Sequence, residues 1–238
     1  MRRLYVPDIP EGAQTLSLPE GEAHHARTVL RAREGDRFEV LNGRGRRLVG
    51  RVQAVSRQDV SLEIESENNE ERPTTELVLC QAMVKAKAMD LIVEKATEIG
   101  VTCILPVSCE RSVSVGAKVG RWRDLAVSAM KQCGRLWLPE ISDASTMEDA
   151  IKQTTASRSV VASLSGERRN LWDCLEGVRS VALWIGPEGD FTCGELEALA
   201  EATFISLGSN VLRAETAAIA GLACIRHEWD RQGLGSRT

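Results

Sequence analysis

The chain has 238 residues, 43% of them hydrophobic and 27% charged, with 30 Lys and Arg against 34 Asp and Glu for a formal net charge of −4. This much apolar material excludes a disordered or low-complexity protein, and no run approaches the roughly 20 apolar residues that a membrane span requires. A net negative charge, taken alone, argues against a nucleic-acid partner.

The opening stretch MRRLYVPDIPEG lacks the apolar core of a secretion signal. Seven cysteines are scattered without a CxxC pair, which predicts reduced thiols in a cytosolic protein and neither a disulfide framework nor a zinc site. Residues 20–30 place Ala23, Ala26, Val29 and Leu30 on one face of a predicted helix. Gly35-Asp36 then signals a turn and residues 37–41 alternate as a strand. Asn42-Gly43-Arg44-Gly45 forms a glycine-rich hairpin loop, and strands over 46–55 and 60–64 continue the meander. Several short strands with one helix predict a small β-barrel domain, PUA-like or OB-like, over residues 1–72. The polar segment ENNEERPTT, residues 67–75, has no periodicity and marks the expected boundary with a second domain over 73–238.

Charge within the first domain is segregated. Nine arginines between His24 and Arg57 face only Glu34, Asp36 and Glu39, an excess of about +6; from Gln58 to Glu76 seven acids face Arg72 alone, about −6. The two blocks nearly cancel, so the net charge conceals a basic region. Of the 30 cations 24 are Arg, and no Lys precedes Lys85. The planar guanidinium matches phosphate oxygens and stacks on bases, although a solvated Arg-rich surface has the same composition.

Beyond residue 75 the pattern alternates. Strands are predicted over 77–83, 103–107, 159–164, 181–185 and 204–207, with helices over 89–99, 122–134, 146–154, 193–201 and 215–230. Apolar runs separated by amphipathic helices predict an α/β fold with a parallel sheet covered on both faces. Ligands in such sheets lie beyond the carboxyl ends of strands. Neither a GxxxxGK[ST] loop nor GxSxG is present, Gly43-Arg44-Gly45 opens a strand where a dinucleotide fingerprint opens a helix, and His24-His25 has no companion at metal-binding spacing. No metal is expected, and a Rossmann-type oxidoreductase lacks its glycine signature.

Two late loops remain. Gly186-Pro187-Glu188-Gly189-Asp190 follows the strand ending at Ile185, and Thr192 or Asp190 can cap a helix in which Glu195 supplies a capping acid. Leu207-Gly208-Ser209-Asn210-Val211-Leu212-Arg213 follows the next strand and leads into the last helix, whose N-terminus would stabilise an anion beside Arg213. Each loop by itself is also consistent with an ordinary strand–helix turn.

These loops, with Leu212-Arg213-Ala214-Glu215-Thr216-Ala217, resemble the signature of SPOUT methyltransferases, and more narrowly the RsmE-type 16S rRNA (uracil-N3)-methyltransferases. Further stretches agree in order: His24-His25 through Arg31 with Gly35-Asp36; Met89-Asp90 through Glu98 with Gly100-Val101; and Gln132 with Arg135 and Pro139-Glu140-Ile141. The sequence departs from the family where Asp190 replaces a usual Gly, where Asn210-Val211 replace Arg-Ile, near Lys85-Ala86-Lys87, and at Lys131.

The resemblance implies a C-terminal domain whose last segments thread a trefoil knot, which general connection rules would count improbable. It implies S-adenosylmethionine as methyl donor, held by the loops after Ser163-Leu164, Ile185 and Leu207. The residues implied are Leu164, Gly186, Pro187, Glu188, Gly189, Leu207, Gly208, Val211, Leu212 and Ala217. It implies a homodimer, to which Ile219, Leu222, Ile225 and Trp229 of the last helix could contribute, and 16S rRNA, in a small ribosomal subunit, as substrate. Arg213 is the candidate cation of catalysis, Glu215 the candidate base or orienting acid, and Glu188 its rival. Arg31, Arg44, Arg46, Arg47 and Arg135 are the candidate RNA contacts. The competing readings are a SPOUT enzyme acting on ribose 2′-OH or another base, and a non-catalytic RNA-binding protein.

Overall fold

The computed structural model describes residues 2–113, 116–164 and 169–235. The chain folds as two compact units, Met1–Arg72 with Val127–Leu138, and Pro73–Ala126 with Pro139–Thr238.

The first unit contains β1 (Arg2–Tyr5), β2 (Thr15–Ser17), α1 (Glu20–Thr28), β3 (Arg37–Leu41), β4 (Arg46–Val55) and β5 (Val60–Asn69). They form a five-stranded sheet in the order β1-β3-β4-β5-β2, antiparallel except for the β1–β3 pair. Alternation sends Phe38, Val40, Leu48, Val52, Val60 and Leu62 into a core shared with Leu4, Leu16 and the α1 residues Ala23 and Ala26. The opposite positions carry charge. Arg37 and Arg51 lie directly across from one another, which would repel. Glu65 resolves this by binding both, and Arg51 and Arg37 hold its carboxyl below the usual carboxylate range.

The two short strands β1 and β2 were not evident from periodicity, having only four and three residues. The segment expected to be a linker is partly strand: β5 runs on to Asn69, with Glu67 opposite Leu48 and Asn69 opposite Arg46. Polar residues suffice there because β4 supplies ladder partners, and Glu70 N–H continues the bonding to the Gly45 carbonyl at 2.7 Å. Residues 127–138 close over the hairpin tip: Gly45 N–H bonds Leu136 O at 2.9 Å, Leu138 N–H bonds Gly43 O at 2.9 Å, and Trp137 Nε1 donates to Glu71 O at 3.1 Å.

The second unit contains β6 (Glu76–Ala82), α2 (Ala86–Ile99), β7 (Cys103–Ser108), the first half of α3 (Val119–Cys133), β8 (Glu140–Ile141), β9 (Ser145–Thr146), α4 (Met147–Gln153), β10 (Arg158–Ala162), β11 (Ser180–Ile185), α5 (Cys193–Ala198), β12 (Thr203–Ile205) and α6 (Ala214–Arg231). Every strand pair is parallel, in the order β12-β10-β11-β6-β7-β8 with β9 also on β7. The continuous apolar runs are explained by burial on both faces: Leu77, Leu79, Val181 and Leu183 are fully covered, as are Cys80 and Ala182. One face packs Val78, Cys80, Ala182 and Trp184 against Met147, Ala150 and Leu199, and α6 packs with β11, β6 and α2. Arg226 of α6 donates to the carbonyls of Ile99 and Gly100, satisfying the end of α2.

The expectation that α6 offers Leu222, Ile225 and Trp229 to a partner is corrected. All three are fully buried within the unit, and Trp229 Nε1 donates to Val178 O at 2.6 Å. Ile219 alone of the four keeps partial exposure. Burial pushes the Cys103 thiol up to about 11 and Cys109 up to about 12. No helix among the described residues is long and apolar enough to cross a membrane.

Candidate functional site

Parallel pairing brings three strand ends into one row. Ala162 at the end of β10 is in register with Ile185 at the end of β11 and with Ile205 at the end of β12. The chain leaves all three strands at this edge, so their loops converge where backbone groups no longer have ladder partners. A cleft of about 260 Å³ opens there, with Ala162, Ile185 and Ile205 as its floor and the start of α6 as one wall. The second loop is fixed by a turn in which Asp190 N–H bonds Pro187 O at 3.0 Å, and Arg111 donates to Gly189 O at 2.7 Å. Beyond it, Thr192 and Glu195 form the expected capping box at the start of α5, and Glu195 also accepts from Glu110 N–H at 2.8 Å. Gly186 sits in a tight spot: a Cβ would press on the Asp190 carboxylate and the Phe191 ring at 3.3 Å, so these neighbours would have to give by a few tenths of an ångström.

Nine of the ten residues expected to hold the donor line this cleft: Leu164, Gly186, Pro187, Glu188, Leu207, Gly208, Val211, Leu212 and Ala217. Gly189 does not; it lies in the turn with its carbonyl engaged by Arg111. The loop after Leu164, residues 165–168, lies outside the described residues. Leu164 and Val211 are apolar yet 54% and 75% exposed, and both line the cleft.

A second cleft of about 490 Å³ adjoins the first, sharing Glu188 and Arg213 with it and adding Lys85, Lys87, Ala88, Leu91 and Glu215. All three candidate catalytic residues, Arg213, Glu215 and Glu188, are therefore brought together. Arg213 is the residue preceding the first turn of α6, with extended backbone, and its carbonyl accepts Ala217 N–H at 2.8 Å. That backbone holds its side chain beside the helix start, where two clefts meet. Sequence reasoning missed Lys85 and Lys87 as site residues. The signal was available, because the turn after β6 leaves the carboxyl edge of the sheet just as the last two loops do.

The five arginines expected to meet RNA all fall in the first unit, with different freedoms. Arg44 at the hairpin tip is 68% exposed, with Asp8 at 3.8 Å. Arg31 is exposed, at a positive φ of 51° that turns the chain after α1. Arg47 is partly exposed, 3.8 Å from Glu39. Arg46 is a strut: 12% exposed, it pairs with Glu67 and donates to the carbonyls of Ile9 and Pro10. Arg135 is half-buried within residues 127–138. Among the described residues no group of three His, Cys, Asp or Glu is placed to hold a metal ion.

Comparison with known proteins gives two family matches, an RNA methyltransferase domain over residues 70–226 and an RNA methyltransferase PUA domain over residues 18–65. A protein of Aquifex aeolicus described as ribosomal RNA small subunit methyltransferase E is 31% identical over 211 residues, covering 86% of this chain and 90% of its own. Its counterpart in Rickettsia conorii is 27% identical and covers 94% of each chain. The crystal structure of ribosomal RNA small subunit methyltransferase E from Neisseria gonorrhoeae, bound to S-adenosyl methionine, superposes with a TM-score of 0.88 at 28% identity, over 96% of this chain and 98% of that one.

Proposed function

This chain belongs to the RNA methyltransferase family, among its ribosomal RNA small subunit methyltransferase E members, and from that premise we infer that it transfers a methyl group from S-adenosylmethionine to N3 of a uridine in 16S ribosomal RNA. The observation that carries this reading is the pair of adjoining clefts, one with largely apolar walls and built on three strand ends, the other lined by Lys85, Lys87, Glu188, Arg213 and Glu215. The residues of the first cleft fit the donor. Leu207, Val211 and Leu212 supply apolar walls for a nucleoside, the ends of three strands supply backbone donors and acceptors, and Gly186 leaves backbone approachable where a Cβ would be tight. We assign to this unit the trefoil knot that the family resemblance implies.

When bound, S-adenosylmethionine supplies an electrophilic methyl on a sulfonium leaving group. The protein's own task is therefore to align uracil and activate its nitrogen. Neutral uracil N3 carries a proton and is a poor nucleophile. Glu215 accepts that proton, with Glu188 as the alternative acceptor, and Arg213 stabilises the negative charge left on the flanking carbonyl oxygens. Lys85 and Lys87 add positive charge at the mouth where the RNA backbone must pass.

The first unit docks RNA through its exposed arginines, and a homodimer covers the apolar rim at Leu164 and Val211. Reversing Arg31, Arg44 and Arg47 to Glu is expected to weaken RNA binding about tenfold or more and to flatten its dependence on salt. The Arg46→Glu variant is expected to lose stability first, because Arg46 holds Glu67 and two carbonyls. Unchanged affinity and salt slope after the triple reversal would remove the docking assignment.

The experiment that tests the function offers labelled donor to the protein with small ribosomal subunits and with naked 16S RNA, followed by nucleoside analysis. Label in 3-methyluridine is expected, with subunits the better substrate. Label in a ribose-methylated nucleoside or another base overturns the specificity. Donor binding without transfer to either RNA favours the non-catalytic alternative.

A further inference from the structure

Asp190 occupies a position where the backbone asks for glycine. Its φ is 58°, a left-handed conformation that costs an L residue energy and that glycine adopts freely. The turn it closes needs only its N–H. Three hydrogen bonds explain what the side chain adds. One carboxylate oxygen accepts from Leu164 N–H and from the Ser163 hydroxyl, both at 3.2 Å, and the other accepts from Phe191 N–H at 2.9 Å. The carboxylate thus ties the loop after β10 to the loop after β11, the two walls of the donor cleft.

It also lines that cleft, with Glu188 and Arg213 the other charged lining residues among those described. No ion pair to Asp190 is formed among the described residues. Among the described residues that line it, two carboxylates face one guanidinium, a local excess of negative charge. A neutral latch would bind any adenosyl ligand alike, whereas a charged one distinguishes ligands by charge. The donor carries a sulfonium that the spent thioether lacks, and the two molecules otherwise share the adenosyl and amino-acid parts.

We propose that Asp190 makes this cleft charge-selective, holding the sulfonium donor in preference to the neutral thioether product, so that methyl transfer itself removes an attraction that retains the ligand. The inference rests on the reading of the cleft as the donor site. Charge stabilisation of this kind is a differential term: it acts on the donor and leaves the product untouched.

The test is calorimetric titration of full-length wild type, Asp190→Asn and Asp190→Gly with S-adenosylmethionine and with S-adenosylhomocysteine. The backbone favours glycine here, so Asp190→Gly keeps the fold, and a thermal melt verifies it. Both variants are expected to lower the ratio of donor affinity to product affinity by about five- to tenfold, and to do so less at high salt. Parallel loss of both affinities with an unchanged ratio would make Asp190 a mechanical latch only and overturn the proposal. Wild type that binds neither ligand would instead sink the assignment of the cleft.

Discussion

Arg213→Ala is expected to slow single-turnover methyl transfer by about 10²–10³-fold at saturating donor, while donor affinity changes by about threefold or less. The magnitude follows from where its charge acts. Bound uracil is neutral in the ground state, whereas loss of the N3 proton puts negative charge on its ring that persists in part while the nitrogen attacks, so a cation at the junction of the two clefts is worth more in the transition state than in the ground state. Arg213 lines both clefts from one backbone position, which has the extended conformation that precedes α6. Arg213→Lys should recover part of the rate, because a point charge substitutes for the electrostatics and not for the planar fork. Normal single-turnover rates for the alanine variant would remove Arg213 from the chemistry and shift the burden to Lys85 or Lys87.

Gly45→Ala is expected to destabilise the first unit by about 3 kcal/mol or more, enough to leave a substantial unfolded fraction in a marginally stable domain. Two costs combine. The backbone at Gly45 has a φ of +90°, and a Cβ there would collide with the Glu70 carbonyl and sit 2.6 Å from the Trp137 ring. Neither neighbour can withdraw, since Glu70 N–H is bonded to Gly45 O and Trp137 Nε1 to Glu71 O. Gly12→Ala separates the two costs: its φ is +65° with nothing within 4 Å of the added carbon. It should therefore lose about 1 kcal/mol from conformation alone. Denaturant unfolding of both variants measures the difference, and equal losses would mean that the contacts around Gly45 are slack.

Most of the second unit was legible because its elements obey a single rule. Buried parallel strands read as apolar runs, and amphipathic helices between them read at a period of 3.6, so the five main strands and all five helices lie within a few residues of expectation. The exceptions have physical causes. Strands β8 and β9 have two residues each, too short for any period, and the last strand stops at Ile205 because the chain turns into the cleft before Leu207. In the first unit the acidic block read as a linker because polarity suggests solvent; its role as a strand depends on Arg46 and Arg47 lying opposite, a pairing that no local window contains. Arg46 is hard to place for a related reason. An arginine that binds phosphate and one that braces two carbonyls are the same residue in the sequence, and only burial distinguishes them.

The site was legible as loops and less so as chemistry. Gly186, Pro187, Leu207 and Gly208 stood out because glycine and proline at a strand end have few other uses. Lys85 and Lys87 did not, since surface lysines are common and their relevance comes from the parallel sheet carrying their loop to the same edge as Glu188 and Arg213. Asp190 drew notice as a possible helix cap, a place Thr192 takes, and as a departure from a related pattern, and its three hydrogen bonds could not be read from its neighbours in sequence.

The shared row formed by Ala162, Ile185 and Ile205 bears on how this protein tolerates substitution. The floor of the cleft is set by where three backbones stop pairing, and side-chain identity has little part in it. Replacement of one apolar strand residue by another leaves the floor in place provided the register holds. Insertion or deletion of a single residue inside β10 or β11 is different, because it would shift one end out of line and reverse the faces of every residue beyond it. Surviving lineages should therefore accumulate point changes in these strands freely and length changes almost never, with indels confined to the loops at the opposite edge of the sheet.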